Sequence, residues 1–111
     1  MARKDKLTIE ALLRALEPLQ RLHNSMPLPC VITFLLIALY EGKSMSDYAR
    51  DLGVSRFTMF RYLQFIGERA RSGGPGLGLI CVEPHPTHLR GTRVRLSAKG
   101  RAIANAMFEK V

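Results

Sequence analysis

The ten residues Ser46-Asp47-Tyr48-Ala49-Arg50-Asp51-Leu52-Gly53-Val54-Ser55 constrain this chain more than any other stretch. They read as a short helix, a glycine-centred turn and the first residue of a second helix. Ser44 or Ser46 serves as the N-cap of the first helix, Asp47 suits its positive end, and Ser55 caps the second. Ala49 is small where two helices approach closely. Gly53 turns the chain without a Cβ penalty, and Val54 fills the angle between the helices. A helix-turn-helix is the expected result.

The second helix is predicted over residues 56–69, with Met59, Tyr62, Leu63 and Ile66 as its buried stripe. At about 3.6 residues per turn, Phe57, Arg61 and Gln64 lie on the opposite face, flanked by Thr58, Phe60 and Phe65. Exposed aromatic and basic groups on one face imply a partner. The second helix of such a unit enters the major groove of DNA, where Arg reads guanine and an apolar ring meets the thymine methyl. Ser55, Arg56, Phe57, Thr58, Phe60, Arg61 and Gln64 are therefore the candidate DNA contacts of this helix.

Upstream, Leu7, Ile9, Leu12, Leu13, Leu16, Leu19 and Leu22 recur mostly at spacings of three and four, an amphipathic helical pattern with Thr8 as a reasonable N-cap. Pro18 either kinks this helix or ends it one turn before a restart. Met26-Pro27-Leu28-Pro29 breaks the pattern and presets a new helix, apolar on nearly every face from Val31 to Tyr40, with Gly42 as its expected C-cap. Downstream of a Gly-rich loop at residues 72–76, two strands are predicted at 79–83 and 92–96. In the second, Val94 and Leu96 face the core while Arg93 and Arg95 face out. Ser97 then caps a last helix with an apolar stripe of Ile103, Ala106, Met107 and Val111.

The net charge of +8 marks a polyanionic partner, and six of those charges fall between Ser55 and Lys99. There, eight basic residues (Arg56, Arg61, Arg69, Arg71, Arg90, Arg93, Arg95 and Lys99) meet only Glu68 and Glu83. Arg90, beside Gly91 at the hairpin tip, is placed to reach a minor groove or a phosphate. Arg93 and Arg95 are placed to neutralise phosphates along the strand.

The order helix, helix, helix-turn-helix, two-stranded hairpin, helix resembles the MarR group of winged-helix regulators, from Pro27 to about Met107. The segment 46–55 resembles that family's helix-turn-helix, and Arg93-Val94-Arg95-Leu96-Ser97-Ala98-Lys99-Gly100-Arg101-Ala102 resembles its second wing strand running into a capped helix. The resemblance implies a mainly α fold with a small β-hairpin wing, a winged helix-turn-helix. Two departures stand out. Residues 84–92 lack the Asp that in the family's wing orients a neighbouring Arg, and the chain stops at Val111 where the family continues into longer helices. The second departure counts against a small-molecule effector site and leaves the first and last helices to make a dimer.

The expected organisation is a helical dimerisation arm over residues 1–26 and a DNA-binding domain with its C-terminal helix over residues 27–111. Leu12, Leu16, Leu19, Ile103 and Met107 are the candidate dimer contacts. The expected role is a sequence-specific regulator of transcription that binds double-stranded DNA as a homodimer and represses by occupying its operator, in the cytoplasm at the nucleoid. A replication, partition or mobile-element accessory protein, or a winged-helix module for protein interaction, stays open as an alternative. No enzyme is expected, since no nucleophile, base and orienting acid are joined by spacing. No cofactor and no metal are expected either. His85 and His88 lack thiolate or carboxylate neighbours, and Cys30 and Cys81 sit in apolar runs as small hydrophobes. The charged start carries no signal core, and the apolar run from Cys30 to Tyr40 is too short to span a bilayer.

Overall fold

The computed structural model describes residues 2–68, 76–84, 87 and 91–109. Among these, five helices and one hairpin follow in the order α1 (Arg3–Leu22), α2 (Leu28–Leu39), α3 (Met45–Leu52), α4 (Arg56–Ile66), β1 (Ile80–Pro84), β2 (Thr92–Leu96) and α5 (Ala98–Phe108). The architecture is mainly helical with a two-stranded antiparallel wing, as the sequence led us to expect.

The core forms where α2 meets α3, α4, α5 and β2. Phe34 and Ile37 of α2, Tyr48 of α3, Met59 and Ile66 of α4, and Leu79, Ile80 and Val94 at the wing are all fully buried, each side chain contributing roughly 1.5–3 kcal/mol. Thr33 is the one polar member of this set among the described residues, and its hydroxyl donates to the Pro29 carbonyl at 2.7 Å.

Local signals chose most helix ends. Ser44 forms a capping box with Asp47: the Asp47 N–H donates to Ser44 Oγ at 3.1 Å and the Ser44 N–H donates to Asp47 Oδ2 at 3.3 Å. Ser46 falls inside α3. Gly53 closes α3 with φ of 69°, the left-handed conformation its missing Cβ permits. Ser55 then caps α4, accepting from the Thr58 N–H at 3.0 Å.

Several expectations were overturned. Thr8 is not a cap: α1 starts at Arg3, and the Thr8 hydroxyl bonds back to the Lys4 carbonyl at 3.0 Å. Of the two alternatives at Pro18 the break and restart is the one excluded, since α1 runs through it to Leu22. Burial of Ala15 and Leu19 on either side outweighs the hydrogen bond that Pro18 cannot donate. Gly42 is not the C-cap of α2, which is Tyr40. At φ of 96°, Gly42 instead directs its N–H to the Val94 carbonyl, while the Val94 N–H donates to Lys43 C=O, both at 2.9 Å. The helix predicted to residue 69 closes at Ile66, with Gly67 as its cap. The first strand begins one residue late, because the Leu79 carbonyl accepts from the Ser97 N–H and its N–H donates to Ile66 C=O.

The dimer residues need the largest correction. Leu19 and Met107 are only 2% and 1% exposed, and Leu16 and Ile103 pack half-buried against the same core. The C-terminal half of α1 lies on α5 of its own chain, so these side chains already have intramolecular partners. Only Leu12 of the five is exposed. Within the expected dimerisation arm, Ala15 and Leu19 belong to the chain's own core, while the exposed apolar residues Leu7, Ile9, Leu12 and Leu13 lie toward the N-terminus of α1.

The wing is locked to α5 by a backbone seam. Ser97 Oγ accepts from the Gly100 N–H at 2.9 Å and donates to the Gly78 carbonyl at 2.5 Å. A Cβ on Gly100 would lie 1.9 Å from the Leu79 carbonyl oxygen, so only glycine fits there. Glu41 ties the same region to the α2–α3 turn: its Oε1 accepts from Leu96 N–H at 2.9 Å and from the Arg101 guanidinium at 2.6 Å, with Arg95 Nε at 3.9 Å. Burial pushes the Glu41 pKa up, but the Arg101 and Leu96 hydrogen bonds and the charges of Arg101 and Arg95 outweigh it and hold the carboxyl below its usual range. Asp47 is also lowered, first by its hydrogen bonds with Ser44 and then by Arg50.

Two outcomes follow from these contacts. Gly100→Ala should cost about 3 kcal/mol, read as a lower urea midpoint at unchanged slope; a loss below about 1 kcal/mol would mean that the seam gives way easily. For Glu41 and Asp47 the folded pKa values are lowered, so their stabilisation is complete above the unfolded values of about 4.3 and 3.9 and is lost as pH falls through the folded ones. Glu41→Gln should therefore be less stable than the parent near pH 7 and approach it as pH falls through the lowered folded value in urea titrations. A gap between the two that persists unchanged in acid would show that Glu41 acts without its charge.

Candidate nucleic-acid interface

The presentation of α4 follows from its stripe. Met59, Leu63 and Ile66 bury one face, which turns Arg56, Phe57, Phe60 and Arg61 to solvent. Phe57 is 66% and Phe60 48% exposed, an unusual placement for two phenyl rings on one short helix. Neither Arg56 nor Arg61 has a carboxylate partner among the described residues. Both guanidiniums are left with their donors available.

The polar candidates divide by role. Ser55 Oγ is occupied at the helix start, where it also donates to Thr58 Oγ1 at 3.0 Å. Thr58 is half-buried, and so is Gln64, which lines a cleft between α4 and the wing. Phe65 does not join the exposed flank: its ring meets His23 edge-on at 5.3 Å between centroids, so the α1–α2 connection covers it.

On the wing, the register opposes Arg93 to Glu83 and Arg95 to Cys81. Arg93 and Glu83 form an ion pair at 3.2 Å, and the Arg93 Nε is buried without a hydrogen-bond acceptor. Arg95 faces solvent near Glu41. Arg93 is thus partly neutralised in place, whereas Arg95 keeps more of its charge free. Arg90, His85 and His88 lie outside the described residues, as do Arg69, Arg71 and Val111.

The sequence reading missed Glu83 and Glu41 as partners of the wing arginines. Glu83 was within reach, since pairing two alternating strands across the predicted loop opposes it to Arg93. Glu41 gave no local signal, because it meets Leu96 and Arg101 across 55 and 60 residues of chain. Cys30 is buried as expected, but Cys81 is half-buried; burial raises both thiols, and the Glu83 charge adds to the rise at Cys81. Among the described residues no group of three or more His, Cys, Asp or Glu side chains is arranged to hold a metal ion. No helix among them is long and apolar enough to cross a membrane.

No protein-family model matches the sequence, and no curated protein sequence matches it. Solved structures do match it in three dimensions. A MarR-like transcriptional regulator from Thermotoga maritima superposes with a TM-score of 0.65 at 24% identity, over 78% of this chain and 56% of its own. A MarR transcriptional regulator from Methanosarcina mazei gives 0.66 at 13% identity, over 96% and 69%. A cysteine-to-serine mutant of MarR from E. coli, complexed with operator DNA, gives 0.64 at 19% identity, over 96% and 69%. The chain spans little more than half the length of the first of these and about two thirds of the other two. At identities of 24% and below the likeness concerns the fold, and by helix order, hairpin and superposition this chain has the winged helix-turn-helix fold of the MarR-type transcriptional regulators.

Proposed function

We propose that this protein is a sequence-specific regulator of transcription that binds double-stranded DNA as a homodimer and represses by occupying its site. The observation that carries this reading is the outer face of α4, where Arg56, Phe57, Phe60 and Arg61 stand exposed on the second helix of a helix-turn-helix with the two guanidiniums unpaired by any described carboxylate. A solvated helix face accounts for the arginines but not for two bare phenyl rings. A groove lined with guanine edges, thymine methyls and phosphates accounts for both. The net charge of +8 and the operator complex of a MarR of the same fold support it. On this reading Arg61 meets a base edge, Phe57 packs on a thymine methyl, and Arg95, Arg90 and, more weakly, Arg93 neutralise phosphates beside the groove. The protein's place of work is then the nucleoid.

The dimer rests on the overhang of α1. The line Leu7, Ala11, Ala15, Leu19 follows one ridge at spacings of four; its last two members are buried in the chain's own core, while exposed Leu7 and half-buried Ala11 line an open apolar groove with Leu12. Exposed Ile9 and Leu13 widen the apolar surface. A second copy covering this surface gives a two-fold assembly whose recognition helices lie about one DNA turn apart, roughly 34 Å, or a multiple of it.

Selection from a random duplex pool should return a preferred site with two-fold character. If about six phosphates are neutralised, the slope of log K against log salt should be about −5. Arg61→Ala should cost about 1–3 kcal/mol on that site and relax preference at one or two base pairs, while Arg90→Ala should weaken all duplexes evenly and reduce the salt slope by about one. Equal losses for Arg61→Ala on preferred and scrambled duplexes would assign it to phosphate instead. Sedimentation at micromolar concentration should give a dimer mass for the parent and a monomer for Leu7→Glu with Leu12→Glu. A parent that stays monomeric would overturn the dimer.

A further inference from the structure

Helix α2 carries no charged residue over its 12 positions, in a chain of 17 Lys and Arg and 9 Asp and Glu. Its inner face enters the core through Cys30, Thr33, Phe34 and Ile37. A helix face turned to water is ordinarily polar or charged, yet the opposite face of α2 is a stripe of Leu28, Val31, Ile32, Leu35, Leu36 and Leu39. Leu28 and Leu39 are each 68% exposed and Ile32 is 43% exposed, while Val31, Leu35 and Leu36 are half-buried. The stripe reads the same in both directions about the middle of the helix: Leu28 answers to Leu39, Val31 to Leu36, and Ile32 to Leu35. We infer that it is a self-association surface, on which α2 of a second copy of this chain lies antiparallel about a two-fold axis at the height of residues 33 and 34. A two-fold contact demands that kind of self-complementary pattern, since residue i meets residue j and j meets i.

Shape and charge favour a second copy over an unlike partner. At the N-terminal end of the stripe, Leu28, Pro29 and Ile32 line a notch of about 230 Å³ with Leu52, Val54 and Tyr62. At the C-terminal end, Leu39 and Tyr40 stand exposed. Antiparallel pairing brings Leu39 of each copy to the notch of the other, so the same apolar contact forms twice. Charge does not oppose the approach: Lys43, beside Tyr40, lies 4.9 Å from that ring's centroid and is already paired with Asp51 at 3.1 Å. The exposed parts of Leu28, Ile32, Leu39 and Tyr40 amount to roughly 400 Å² per copy, about 800 Å² in a pair, which is less than stable interfaces bury and in the range of weak, reversible ones. The stripe shares no residue with the α1 surface at Leu7 and Leu12. On the dimer proposed above, and resting on it, α2 therefore joins dimers into tetramers where their concentration is high.

The test is disulfide formation between two variants of the full chain without DNA, Leu28→Cys and Leu39→Cys, both at exposed positions. Each also carries Cys81→Ser, so that the half-buried thiol takes no part; Cys30 is buried. In a glutathione redox buffer at several hundred micromolar protein, an equimolar mixture should give several-fold more covalent dimer than either variant alone, with the link mapped between residues 28 and 39 by mass spectrometry. The reason is geometric: antiparallel pairing sets residue 28 against residue 39 of the other copy, but holds residue 28 about 16 Å along the axis from its own counterpart, beyond disulfide reach. The excess should persist when Leu7→Glu and Leu12→Glu are added, which separates this contact from the one proposed for α1. In sedimentation, the mass of the parent should double between low micromolar and several hundred micromolar concentration, and that doubling should be lost in Leu39→Glu. A mixture that cross-links no better than the single variants would overturn the inference and leave the stripe to an unlike partner. So would a doubling that survives Leu39→Glu. Duplex binding enters neither measurement, so its absence would remove the DNA reading and leave this result standing.

Discussion

The turn at residues 40–43 is the constraint on which the rest of this structure depends. A helix end leaves carbonyls and N–H groups that must find partners once the surroundings are buried. Here each is met by a different element. The Tyr48 hydroxyl, on a fully buried ring of α3, donates to Tyr40 C=O and accepts from Lys43 N–H. Glu41 takes the Leu96 N–H of β2 and the Arg101 guanidinium of α5, and Gly42 and Lys43 pair with Val94. One short turn thereby holds α2, α3, the wing and α5 in a single arrangement. Burial raises the Tyr48 pKa, in keeping with a phenol that donates to the Tyr40 carbonyl.

That arrangement decides how α4 is offered to solvent. With α3 fixed by Tyr48 and the left-handed turn at Gly53, the direction of α4 follows, and its stripe of Met59, Leu63 and Ile66 sets its rotation. The wing has a second attachment in the Ser97 and Gly100 seam on Leu79. Helix α4 and the paired strands thus present arginines on either side of a cleft lined by Leu63, Ile80 and Val82. Their charge is not uniform: Glu83 and Glu41 restrain Arg93 and Arg95, while the described part of α4 carries arginines without such partners. Base readout on a bare helix and backbone attraction on a tempered wing are the division of labour this distribution favours.

The segments that follow local rules were legible in the sequence. The capping sequence at Ser44 and Asp47, the glycine at 53, the Ser55 cap and the alternation of β2 each encode their conformation within a few residues, so the helix-turn-helix, the hairpin and the exposed face of α4 could be read from spacing alone. The same reasoning placed Arg56, Phe57, Phe60 and Arg61 together, because a helix brings residues three and four apart onto one side.

Tertiary structure decided what periodicity leaves undetermined, namely which apolar face meets which partner. The stripe on α1 looked like one surface, yet its distal half is buried on α5 and its proximal half overhangs, because the chain's core ends beneath Ala15. Pro18 was carried through a helix because burial on both sides outweighed one missing hydrogen bond, and Gly42 was taken from a helix end to pair with β2. Glu41 met its partners only when distant elements converged. Sequence by itself determined the elements and the identity of the exposed helix face, because those depend on interactions between near neighbours along the chain. The uses of Leu19, Met107 and Glu41 depend on contacts between elements far apart in sequence, and only the folded chain brings those into being.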